Sequence, residues 1–198
     1  MKRLVVQVRG GHCSGKSTAV FEYAEHAGVK ERIIVEAGAE RVKCTRGIDT
    51  AVIGWYSDET ASKGGCDSAI KNKEVLKQVL KALMREPWVH TIVFEGVLYG
   101  KTLQLAQKIY ELSKEMGFQY VPILLNPPYE EVITRLEKRN GGKTYNEKVI
   151  YDTYVGALRA AKKMKALGIE TSVIDSSKFA EGDMWKIVSR AIERARKE

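Results

Sequence analysis

Gly10, Gly15, Lys16 and Ser17 fall in the spacing G-x-x-x-x-G-K-[ST] within the stretch VRGGHCSGKST, residues 8–18. Residues of these types in this order hold phosphates. The glycines let the chain wrap with its amides pointing inward, and a helix beginning at the lysine adds partial positive charge. The run Gly10, Gly11, His12, Cys13, Ser14, Gly15, Lys16, Ser17 and Thr18 is therefore assigned to the phosphates of a nucleotide. Lys16 has the reach for the β- and γ-phosphates, and the Ser17 hydroxyl can ligate Mg²⁺. Glu95 closes the apolar run TIVFEG, and an acid at such a strand end helps hold the same ion or its water. The alternative for Glu95 is a cap on the helix that follows.

Two further stretches carry chemistry. In ITRLEKRNGGK (133–143), Arg135 and Arg139 lie four residues apart and share a helix face, while Lys138 and Lys143 flank a Gly-Gly break. This pattern looks like the lid of a small P-loop kinase, over about 135–148, whose arginines neutralise a phosphoryl group in transfer. The alternative is a surface helix laced with Glu, Lys and Arg. In GWYSDETASKGGCDS (54–68), Trp55 and Tyr56 either stack on a base or pack in the core at a strand end. Asp58 or Asp67 can take the proton from an attacking hydroxyl. Asp67 can equally be the N-cap of the next helix, although a cap leaves the preceding Gly-Gly-Cys unexplained.

Elements of an α/β fold must position these groups. The run 4–8 reads as a buried strand and 17–28 as an amphipathic helix closed by Gly28, which is the context the phosphate loop demands. Strands are expected at 32–38, 40–45, 50–56, 89–96, 118–126 and 169–175, with a turn at RGID between 40–45 and 50–56. Helices are expected at 75–84, 102–117, 126–139, 146–168 and 179–197. Strand and helix alternate, so the fold class is α/β: a P-loop kinase fold, a mostly parallel sheet flanked by helices, with a small lid. No repeat, low-complexity segment or long linker interrupts the 198 residues, and one domain is expected.

Composition excludes several classes. No apolar run approaches the ~20 residues of a membrane span. The start MKRLVVQV runs straight into the phosphate loop and is no signal peptide, so a cytoplasmic protein is expected, with no membrane and no protein partner implied. Cys13, Cys44 and Cys66 are widely spaced and form no zinc pattern. Cys13 is read as loop filler, with a lowered thiol pKa as the alternative. The net charge of +8 is uneven: residues 135–165 hold nine Lys/Arg against three acids. That cluster points to a polyanion partner.

Together these pieces resemble a known family. A phosphate loop near the N-terminus, a strand ending GWY, then GGCD, then FEGVL (94–98), a short lid and a final strand ending Ile-Asp are similar to the phage 5-hydroxymethyluracil DNA kinases. The resemblance runs from Leu4 to about Asp175. It implies transfer of the ATP γ-phosphate to the hydroxymethyl oxygen of a modified base in DNA. Lys16 and Ser17 would serve ATP and Mg²⁺, Asp67 the acceptor site, and Glu95 the metal. A base in duplex DNA reaches such a pocket only by flipping out of the stack.

Other readings use the same parts. A nucleoside or nucleotide kinase would bind only small phosphates with its basic lid. A polynucleotide end kinase would act on a terminal sugar hydroxyl. An NTP-driven switch is disfavoured by the lid-like arginines, and a GTPase by the lack of NKxD near a strand end.

Overall fold

The computed structural model describes residues 1–56, 65–70, 72–97, 102–141 and 143–198, with Asp67 and Ser68 described by their backbone. Its centre is β1 (Arg3–Arg9), the apolar β-branched run before the phosphate loop. β1 lies between β5 (Thr91–Glu95) and β6 (Phe118–Leu125), parallel to both. β4 (Thr50–Ile53) and β7 (Ser172–Ile174) extend the parallel sheet on either side. β3 (Glu40–Arg46) and β2 (Glu31–Ala37) add two antiparallel strands at one edge, giving the order β2-β3-β4-β5-β1-β6-β7. The mostly parallel sheet and the reversal at RGID are as the sequence leads one to expect.

Side chains of β1 alternate between two apolar layers, as the period of a strand requires. Leu4, Val6 and Val8 pack with Val20 and Ala24 of α1 (Lys16–His26) and Ile187 and Val188 of α7 (Trp185–Lys197). Val5 faces the other layer, where α3 (Lys73–Arg85) contributes Leu76, Val79, Leu80 and Leu83, and α4 (Leu103–Glu115) contributes Ile109. Each such side chain contributes about 1.5–3 kcal/mol on burial. Two more helices, α5 (Tyr129–Asn140) and α6 (Glu147–Ala166), pack together through Val132, Leu136 and Ile150. Cys13 of the phosphate loop touches that cluster. The Gly-Gly break is real: α5 stops at Gly141 in a left-handed turn (φ 57°), and the Asn146 side chain caps α6 by accepting the Val149 N–H at 3.2 Å.

Several elements are shorter than expected, β4, β7 and the last helix among them. β4 ends at Ile53, because Gly54 turns the chain sharply at φ 117° before Trp55. β7 holds only Ser172–Ile174. The last helix begins at Trp185 and not near 179, because Asp175 first caps a 3-10 turn (Ser176–Lys178), accepting the Ser177 N–H at 3.0 Å.

The start of α7 has no cap from its own segment. Glu22 of α1 supplies one from a distance: its carboxylate accepts the N–H of Gly182 at 2.9 Å and of Met184 at 2.7 Å. These charge-assisted bonds satisfy amides that a helix start leaves unpaired. Replacing Glu22 with Ala should lower stability by about 1–2 kcal/mol. Thermal unfolding reads this as a Tm several degrees lower, and an unchanged Tm would remove Glu22 from this role.

Candidate active site

The parallel strands end at one edge of the sheet, the place where α/β proteins bind ligands. A cavity of about 670 Å³ opens there, within the range of small-molecule and cofactor sites. His12 through Thr18 line it, together with Gly65, Glu95, Arg135, Lys138 and Arg139. The sequence-predicted phosphate loop, metal acid and lid arginines thus share one cavity.

The loop is shaped as its residue types dictate. Gly10 has φ 148°, and a Cβ there would lie 2.4 Å from Ser14 Oγ and 2.7 Å from the Leu125 carbonyl oxygen. Gly15 has φ 88° and leads into α1, which carries no side-chain cap; the amides of such a helix start suit an anion. Lys16 is buried, with Nζ donating to the Gly11 carbonyl at 2.6 Å. Gly11 and Ser14 join the same network, Ser14 Oγ donating to Gly11 O at 3.1 Å.

Glu95 ends β5 at 4% exposure. Ser17 Oγ donates to its Oε1 at 3.0 Å, and the Tyr56 hydroxyl to the same oxygen at 3.3 Å. Its carboxylate therefore faces the phosphate loop. A hydroxyl and a carboxylate at this separation form an all-oxygen donor pair. That pair suits Mg²⁺, which takes one or two carboxylates and completes its shell with phosphates and water. Among the described residues no group of three or more His, Cys, Asp and Glu side chains forms a protein-only metal cage. Gly65 backs this acid so closely that a Cβ would lie 2.1 Å from Glu95 Oε1. The glycine before Cys66 and Asp67 is thus a matter of contact with the carboxylate.

Arg135 is held ready. Its Nε donates to Glu131 at 2.7 Å, and its other nitrogens lie 3.5 Å from Ser176 Oγ and Ser176 O. Ser176 Oγ in turn donates to the Ser14 carbonyl at 2.8 Å, tying the arginine to the phosphate loop. Sequence reading missed Ser176, whose only signal is its place just past the last strand.

Several alternatives are decided by the geometry. Asp67 does not cap the next helix: it lies inside α2 (Cys66–Ala69), and Asn72 caps α3 by accepting the Glu74 N–H at 2.9 Å. The Asp67 side chain, Asp58 and Leu98 lie outside the described residues. Tyr56 is buried, so its ring is committed to packing and its hydroxyl to Glu95. Trp55 is half-buried, and its indole N–H donates to the Cys44 carbonyl at 3.0 Å. Cys13 has φ 53° and a thiol pKa that burial raises, with Arg139, Lys16 and Arg135 pulling it back only in part. The lowered pKa is therefore not found, and loop packing is its role. The basic run 135–165 is divided: Arg135, Lys138 and Arg139 line the cavity, while Arg159, Lys162, Lys163 and Lys165 lie exposed on the later half of α6.

The sequence profile of the 5-hmdU DNA kinases matches residues 3–177, which includes the phosphate loop, Glu95, Arg135, Arg139 and Ser176. The chain belongs to the 5-hmdU DNA kinase family. A 5-hmdU DNA kinase of Pseudomonas phage M6 is 29% identical over 166 residues, 82% of this chain and 86% of that one. The 5-hmdU DNA kinase 1 of Salmonella phage ViI is 27% identical over 147 residues, 74% of this chain and 64% of that one. Among solved structures, this 5-hmdU DNA kinase family member is similar to the YorR protein of Bacillus subtilis, solved with phosphorylated GDP. The TM-score is 0.57 at 16% identity, with 98% of each chain covered. A protein of the PezAT toxin–antitoxin system of Streptococcus pneumoniae gives a TM-score of 0.51 at 11% identity, covering 100% of this chain and 88% of that one. The fold is that of the P-loop kinases.

Two measurements test this geometry. Gly65→Ala should displace the Glu95 carboxylate, raising the Mg²⁺ needed for half-maximal nucleotide binding by tenfold or so while the Tm moves little; an unchanged Mg²⁺ titration would separate Gly65 from the metal. Because the Cys13 pKa lies above its ordinary 9.0, its thiolate is scarce at neutral pH and forms as pH rises past that value. Alkylation of Cys13, located by mass spectrometry, should therefore be slower at pH 7.5 than that of a free thiol and climb above pH 9.0. A rate already at its plateau at pH 7.5 would contradict the burial.

Proposed function

We propose that this chain is an ATP-dependent kinase that phosphorylates the hydroxymethyl oxygen of 5-hydroxymethyluracil in DNA. Family membership supports the substrate. The observation that carries the chemistry is the bond between Ser17 and the buried Glu95, made on the same cavity as Lys16, Arg135 and Arg139.

Each group has a role set by its place. Lys16 and the first amides of α1 bind the β- and γ-phosphates. Ser17 and Glu95 would hold Mg²⁺, which supplies charge neutralisation on the phosphates when bound. Arg135 and Arg139, on the face of α5 toward the cavity, offset the charge spread over the transferring group. The segment 135–148 acts as the lid of a single kinase domain, with the glycine break at 141 as its hinge. Asp67, the second residue of a helix that begins beside Glu95, accepts the proton of the hydroxymethyl group, with Asp58 as the other candidate base. The hydroxymethyl oxygen then bonds to the γ-phosphorus, the bond from that phosphorus to the β–γ bridging oxygen breaks, and ADP leaves with the electron pair. DNA carrying the modified base is the partner, and the acceptor nucleotide is flipped out of the duplex to reach the cavity. Among the described residues no helix is long and apolar enough to cross a membrane, in keeping with work in the host cytoplasm.

Labelled γ-phosphate should pass from ATP to DNA containing internal 5-hydroxymethyluracil and neither to the thymine counterpart nor to free nucleosides. Label in a nucleoside alone would make this a small-molecule kinase, and label at DNA ends alone a polynucleotide end kinase. Asp67→Asn should cut turnover at least about 100-fold with ATP affinity and Tm intact, as loss of a general base does. Near-normal turnover would shift that role to Asp58.

A further inference from the structure

The β2–β3 hairpin has two unlike faces. Ile33, Val35, Val42 and Cys44 turn inward and pack with α3. The register sets Arg32 opposite Thr45, Ile34 opposite Lys43 and Glu36 opposite Arg41, and these alternate residues form the outer face. Arg32, Ile34, Glu36, Arg41 and Lys43 are all exposed there, Ile34 at 40%. Three cations thus meet one acid on this outer face.

Trp55 organises this face. Its indole N–H is fastened to the Cys44 carbonyl at 3.0 Å, and two cations lie over its ring: Lys43 Nζ at 4.6 Å from the centroid and the Arg32 guanidinium at 5.2 Å. Stacking on a fixed ring holds long side chains in place, and so reduces what their ordering costs when a ligand arrives. On the inner face Arg46 pairs with Glu31 at 3.7 Å. Among the described residues no carboxylate forms such a pair with Arg32, Arg41 or Lys43. A net-positive surface with two of its cations ordered on an aromatic ring suits a polyanion with flat bases.

Position selects the polyanion. Trp55 is followed directly by Tyr56, whose hydroxyl reaches Glu95 at 3.3 Å in the cavity. The outer face of the hairpin is therefore one residue from the site of phosphoryl transfer. The exposed lysines of α6 are separated from the cavity by the length of the helix after Tyr154.

We infer that the outer face of the β2–β3 hairpin, with Arg32 and Lys43 on Trp55 and Arg41 further along the same face, binds the phosphate backbone of the acceptor DNA beside the flipped nucleotide. This rests on the reading of the chain as a DNA base kinase. It replaces the α6 lysines as the main duplex contact and gives Trp55 a role as a platform for cations.

The test uses the full chain and a fluorescent duplex, with thymine in place of the modified base, so that binding is measured apart from chemistry. The combined variant Arg32→Gln, Arg41→Gln, Lys43→Gln should lose at least about tenfold in affinity near 0.15 M salt, and the slope of log affinity against log salt should flatten by about 2–3. ATP affinity should stay at the wild-type value, which also shows that the variant is folded. Should the triple variant unfold, Lys43→Gln alone should flatten the slope by about 1. Unchanged affinity and slope in a folded variant, while the wild type phosphorylates modified DNA, overturn the surface and leave the kinase reading standing. The same outcome follows if only Lys162→Gln, Lys163→Gln, Lys165→Gln weakens binding. A wild type that binds no duplex and labels no DNA overturns both readings.

Discussion

A carboxylate with 4% of its surface exposed needs partners, because an isolated buried charge costs several kcal/mol. Glu95 is that carboxylate, and the site is arranged around its needs. Ser17 and Tyr56 give it hydroxyl protons, and Gly65 gives it room. Each comes from a different segment, and sheet order is what unites them. β1, β5 and β4 are adjacent and parallel, so the chain leaving each of them emerges at the same edge. Any order that separated β4 from β5 would leave Tyr56 far from the acid, and Glu95 without one of its two hydroxyl donors.

The second constraint is how Arg135 is aimed. An arginine on an exposed helix has several rotatable bonds, and fixing them costs up to about 2 kcal/mol. Here Glu131, one turn back, and Ser176, beyond the last strand, hold the guanidinium from two sides. Ser176 also donates to the carbonyl of Ser14, so the phosphate loop and α5 share one small residue. Cys13 adds an apolar contact from the same loop to the α5–α6 cluster. Movement of α5 is thereby coupled to the loop that binds phosphate.

What was legible in the sequence was local. The phosphate loop, its strand and its helix lie within thirty residues and are written in glycine spacing and apolar period, and all three stand where expected. The pairing of Arg135 with Arg139 followed from helical spacing alone. The chain's long-range contacts were not legible. Glu22 caps a helix 160 residues away, and Ser176 meets Ser14 across 162. No local pattern marks either residue. Asp67 shows the limit of a type-based rule: an acid before a helical period reads as a cap, but Asn72 stood closer and took the place. The basic run 135–165 shows a different limit: it is not one surface. Its lysines and arginines are near in sequence, yet two helices and a break divide them between the cavity and a distant face.

Lys16 donates to the Gly11 carbonyl at 2.6 Å inside its own loop. A phosphate that claims the N–H now held by this carbonyl must take it from an acceptor already in place, so for that one donor the gain is only the difference between two bonds. For a neutral hydroxyl, or an anion carrying one diffuse charge, that difference is small. For the crowded oxygens of a triphosphate it is large, because a charged acceptor makes the stronger bond. On the proposed function, the loop thus favours ligands of high charge density over weaker guests.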